Sequence, residues 1–74
     1  MTIAWERAKI KGEYYHGKTD SRFSAQIAMS TNAGKYVWMV CHEDFRYAVI
    51  GDEVDSVEDG KKCAADWLKD NARA

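Results

Sequence analysis

The chain has 74 residues, with 46% apolar and 31% charged residues, no proline, and 11 Lys+Arg against 12 Asp+Glu for a formal net charge of −1. That length reads as one domain, residues 1–74. The apolar content is too high and the net charge too small for a disordered chain. No apolar run approaches the roughly 18–20 residues needed to cross a membrane, and the balanced charge argues against whole-surface attraction to nucleic acid.

The N-terminal third offers mixed signals: Thr2 to Lys11 contains good helix formers with Thr2 in place as a cap, which keeps a helix open, but the strand reading is preferred. Ile3 and Trp5 share one parity and Ala8 and Ile10 the other, which fits a strand with a bulge. Gly12 and Gly17 bracket Tyr14-Tyr15-His16 in the manner of a hairpin. Charges begin at Glu6 and recur at Arg7, Lys9 and Lys11, so no export signal is expected, and Cys41 and Cys63 are expected as reduced thiols in a cytoplasmic protein.

The middle predicts a meander of three strands. Arg22 to Met29 alternates, with Phe23, Ala25, Ile27 and Met29 on one face. Ser30 to Gly34 has turn composition. Tyr36 to Cys41 is apolar on both faces and predicts a central strand covered on both sides, by the N-terminal segment or by a partner. His42-Glu43-Asp44 reads as a short connection, and Phe45 to Ile50 as the next strand, with Phe45, Tyr47 and Val49 on one face.

Ser56-Val57-Glu58-Asp59 is a helix-start pattern, a hydroxyl followed three residues later by an acid. Val57, Ala64, Trp67 and Leu68 then fall on one helical stripe, with Gly60 between them. This predicts a helix from Ser56 to Asn71 whose Gly60 permits close approach to what lies beneath. The expected fold is α+β: an antiparallel three- or four-stranded meander with one C-terminal helix packed on one face. Of the three tryptophans, Trp38 and Trp67 are expected in the core, while Trp5 reads either as core or as an interface anchor.

Charge is unevenly placed. Residues 1–37 carry six bases and three acids, and residues 38–74 five bases and nine acids. Five acids crowd between Asp52 and Asp59 without an intervening base. Asp52, Glu53 and Asp55 are the candidate contacts for a basic surface on a partner protein. Arg7, Lys9 and Lys11 share one parity before the aromatic pair Tyr14-Tyr15. With Lys61 and Lys62 they are the candidate contacts for nucleic acid, since phosphates take the charge and bases stack on flat rings. A charged edge strand that resists aggregation explains the same alternation.

No enzymatic constellation stands out. Cys41 and His42 are adjacent, so a strand sends their side chains to opposite faces, and Cys63 and His16 are isolated. The acidic run lacks the spacing of a calcium-binding hand. A chain this short hardly encloses a pocket of roughly 300 Å³ or more by itself. Neither a metal nor a cofactor is expected. The small core and the two-faced central strand raise a homodimer as a further reading.

Two resemblances carry further expectations. Gly60-Lys61-Lys62-Cys63-Ala64-Ala65-Asp66-Trp67-Leu68, following a three-stranded meander, resembles the second half of a double-stranded-RNA-binding domain, whose last helix opens on a basic motif that Lys61 and Lys62 match. That implies RNA binding. The chain as a whole, through Tyr36-Val37-Trp38-Met39-Val40 and the Ser56–Asp59 cap, resembles the small orphan proteins of bacteriophages and prophages. Such proteins bind and block a host complex, CRISPR effector complexes among them, so this likeness implies a non-enzymatic inhibitor of a host protein complex.

Overall fold

A computed structural model describes residues 2–8 and 14–71. Among these residues the chain forms five strands and one helix: β1 (Ala4–Arg7), β2 (Tyr14–Lys18), β3 (Phe23–Met29), β4 (Tyr36–His42), β5 (Ile50–Val54) and α1 (Val57–Asn71). The strands make one antiparallel sheet in the order β1-β2-β3-β4-β5. The fold is therefore α+β with a C-terminal helix packed on the sheet. The sheet is wider than the three or four strands expected, because the N-terminal segment extends it as the hairpin β1–β2 instead of folding over β4.

Register follows the apolar alternation of β3, against which β4, apolar on both faces, is paired. Ala25 pairs with Val40 and Ile27 with Trp38, so all four point to one side. They form the buried core together with Ala64 and Leu68 of α1. Gly60, Ala64 and Leu68 recur every four residues and are the buried face of the helix. The Ser56 hydroxyl accepts the Asp59 N–H at 3.1 Å, capping the first turn as the sequence pattern anticipates. Glu58 and Asp59 lie in that turn, where the helix dipole favours acids.

Gly60 sets the helix height. A Cβ there would lie 3.2 Å from Ile27 Cδ1, so any larger residue lifts the helix or moves Ile27. Gly17 does the same for β1: a Cβ would lie 2.6 Å from Ile3 Cγ2 and 3.0 Å from two atoms of the Trp5 ring. Trp5 is thus half-buried against the core margin and is not a free anchor. Trp38 is 7% exposed within the core, and Trp67 packs at its edge against Phe23.

One strand differs from the sequence reading. Residues 45–49, expected in a strand, form most of the β4–β5 loop, and β5 runs instead over Ile50–Val54. Ile50 pairs with Val40 and Val54 with Tyr36, which places both on the helix side, next to the core. Starting the strand five residues later also delivers the chain directly to the Ser56 cap. The acids Asp52 and Glu53 are tolerated because β5 is an edge strand.

The other side of the sheet carries Tyr14, His16, Ser24, Gln26, Ala28, Val37, Met39 and Cys41, all half-buried. No described element covers it. No described helix is long and apolar enough to cross a membrane.

Replacing Ile27 by Ala removes the largest fully buried side chain among the described residues and is expected to cost about 2–5 kcal/mol. Gly60→Val is expected to cost about 1–3 kcal/mol by overpacking against Ile27. Urea unfolding, read as a midpoint shift at constant slope, checks both.

Candidate functional site

The acidic candidates lie on the β5 edge and just beyond it, and all three are exposed. Glu53 Oε2 accepts hydrogen bonds from Ser30 Oγ at 2.6 Å and Asn32 Nδ2 at 2.8 Å. Asp55 pairs with Lys35. Both acids therefore hold the 30–35 turn between β3 and β4 against the neighbouring strand. Asp52 Oδ1 accepts the backbone N–H of Glu53 at 2.8 Å, so the acid binds an amide of its own edge strand. The hydrogen bonds from Ser30 and then Asn32 hold the Glu53 carboxyl below its ordinary value. Asp55, through its hydrogen bond and then its charge, raises the Lys35 ammonium.

The basic candidates divide. Lys61 is half-buried, with Nζ 5.2 Å from the Tyr15 ring centre and 5.8 Å from that of Trp5. Those distances are within cation–π range. Arg7 is exposed on β1 and pairs in register with Tyr15, on the helix side of the sheet. Lys62 is exposed on the next position of α1. Lys9 and Lys11 lie outside the described residues. The structure thus joins Lys61 to two aromatics, and it sets Lys62 apart on the solvent side of the helix.

A third region was not marked by the sequence. Phe45 is 63% exposed, Tyr47 78% and Val49 40%, all on the β4–β5 loop. Their strict alternation looks like one face of a strand, and nothing in the local pattern distinguishes the two. The base of the loop is fixed by several contacts. The Glu43 N–H donates to the Arg22 carbonyl at 3.0 Å and the Phe45 N–H to the His42 carbonyl at 3.0 Å. Arg22 pairs through Nε with Glu43 and through Nη1 with Asp44, each at 3.3 Å. Arg22 itself follows a turn stitched by hydroxyls, in which Thr19 Oγ1 donates to the Phe23 carbonyl at 2.7 Å and Ser21 Oγ accepts the Phe23 N–H at 3.1 Å.

Rings connect this base to the core. Trp67 of α1 meets Phe23 edge-on at 5.6 Å, Phe23 meets His42 at 4.7 Å, and His42 meets Phe45 at 5.3 Å. Between this end of the sheet and the loop lies an open groove of about 390 Å³, lined among others by His16, Lys18, Arg22, Cys41, His42 and Phe45. Cys41 and His42 share its wall but leave β4 on opposite sides, as their adjacency requires. On the open face, partial burial and then the nearby Cys41 push the Tyr14 phenol above its ordinary value. Among the described residues no three His, Cys, Asp or Glu side chains are grouped to hold a metal ion.

The depressed Glu53 carboxyl makes a signed prediction. A group whose pKa is lower folded than unfolded stabilises the fold above its unfolded value, about 4.3 for Glu, and that contribution fades as pH falls through the lower folded value. Glu53→Gln should therefore be less stable than the parent at pH 7, with the gap closing towards pH 3. Urea unfolding at the two pH values checks it.

No protein-family model matches the chain, no curated protein matches it, and no solved structure matches it.

Proposed function

We propose that this protein is a non-enzymatic protein-binding module whose contact surface centres on the β4–β5 loop. The observation that carries this reading is the exposure of Phe45, Tyr47 and Val49 within five residues of one another. Arg46 lies between the two aromatics and is also exposed. Large apolar side chains in water gain by burial in a partner, and aromatics with Arg are the residue types enriched at binding hot spots. The tethers to Arg22 and the ring contact to His42 hold the base of the loop, which lowers the ordering cost of association.

Asp52, Glu53 and Asp55 form an acidic flank on the strand that the loop enters. Their exposed charge suits guiding a basic partner surface into place, with salt-sensitive association as its mark. The resemblance to phage-encoded blocking proteins implies that the partner is a host complex in the cytoplasm and that binding inhibits it, an anti-CRISPR-like action being one form.

Nucleic-acid binding through Arg7, Lys9, Lys11, Lys61 and Lys62 is the second reading. It is favoured by the joining of Lys61 with Trp5 and Tyr15. It ranks lower because Lys61 already lies over both rings, where a base would stack. A second copy of the chain on the open sheet face, around Val37 and Met39, is the third.

The test is capture from a bacterial lysate, with and without nuclease, by the parent and by a Phe45→Ser, Tyr47→Ser variant of matched stability. One dominant protein is expected to survive nuclease and to bind the variant at least about tenfold more weakly, or ~1.4 kcal/mol. Capture that is indifferent to the loop variant overturns the reading. Capture that vanishes with nuclease and with Lys61→Ala, Lys62→Ala moves nucleic acid to first place. A dimeric mass that Met39→Glu dissolves moves self-association there.

A further inference from the structure

His42 ends β4, and its side chain is only 15% exposed. The imidazole lies between the Phe23 ring, which is tied to α1 through Trp67, and the Phe45 ring of the loop. It is therefore the joint between the packed body and the exposed apolar residues. Its Nδ1 accepts the backbone N–H of Asp44 at 3.1 Å. Accepting requires a lone pair on Nδ1, so the ring in this arrangement is neutral with its proton on Nε2. The Asp44 carboxylate is held by Arg22, while the same oxygen lies 3.8 Å from His42 Nδ1.

We propose that His42 is a pH-sensitive latch on the β4–β5 loop, closed when neutral and opened by protonation. A proton on Nδ1 turns the acceptor into a donor that faces the Asp44 N–H, and that hydrogen bond is lost. The imidazolium then competes with Arg22 for the Asp44 carboxylate. Arg22 retains Glu43, so the outer tether persists while the inner one is exchanged and Phe45 leaves its ring contact.

The charged surroundings do not preempt this step. Lys18 and His16 of β2 line the groove that His42 also lines. Arg22 precedes β3, Glu43, Asp44 and Arg46 belong to the loop, and Cys41 precedes His42 in β4. From α1 the nearest member of the ring series is the uncharged Trp67, and Asp66, Lys69 and Asp70 around it are exposed. Acids and bases are both present, and the reversal of donor and acceptor at Nδ1 decides the outcome. This step stands on the geometry alone. Its consequence, weaker partner binding as pH falls, rests on the protein-binding reading.

Proton–nitrogen NMR of the full chain between roughly pH 8 and pH 5, the range in which imidazoles titrate, tests the latch. The Asp44 and Phe45 amides are expected to shift together, with the midpoint shown by the His42 ring protons. In His42→Asn the Asp44 shift is expected to disappear, while the turn is kept because an Asn oxygen can accept the N–H two residues on. His16→Gln should leave the Asp44 shift in place. An Asp44 amide that does not follow the His42 midpoint in the parent chain, or that still titrates in His42→Asn, overturns the proposal. The parent titration decides even where a variant does not fold. No partner enters the experiment, so its failure and that of the docking reading are told apart.

Discussion

The seating of α1 on β3 and β4 is the constraint from which the rest of the structure follows. Among the described residues the buried core is six residues, four from the sheet and two from the helix, so neither layer has an apolar interior without the other. Contact is close because Gly60 leaves room for Ile27, and Ala64 continues that low face one turn later. Once the helix is seated, the chain before it must end a strand beside β4 at the Ser56 cap. That requirement places β5 at Ile50–Val54 and leaves residues 43–49 to span the gap as a loop.

The same geometry gives the acidic stretch an internal role. With β5 beside β4, Glu53 and Asp55 reach the β3–β4 turn and meet Ser30, Asn32 and Lys35. Exposed contacts of this kind contribute little stability individually, but here they join the β3–β4 turn to the end of β5. The acids remain exposed to solvent. One patch thus fixes a turn and presents a negative surface.

The apolar loop is controlled from its base. Phe45, Tyr47 and Val49 gain little from the protein's own core, whereas Glu43 and Asp44 are bound to Arg22 and His42 stands against Phe45. A loop with few buried contacts opens at low free-energy cost. The proposed latch at His42 therefore acts on the loop, while Ile27, Val40 and Leu68 hold the core in place.

The amino-acid order alone determined the helix and its cap, since Ser56, the acids after it and the 3.6-residue recurrence of small and apolar side chains are local signals. It determined β3 and β4 as strands as well, the alternation of β3 surviving in the register, and it pointed to Gly60 as a place of close approach. Tertiary structure decided what local patterns cannot encode. The alternation of Phe45, Tyr47 and Val49 fits a strand as well as a loop, and the helix's need for a strand ending at Val54 chose between them. Lys61 reads as a free cation until folding lays it over Trp5 and Tyr15, and Glu53 and Asp55 read as free acids until pairing brings the 30–35 turn beside them. Periodicity is carried by neighbours in the chain, whereas burial and partnership depend on residues twenty or more positions away, and only the assembled sheet with its helix brings those together.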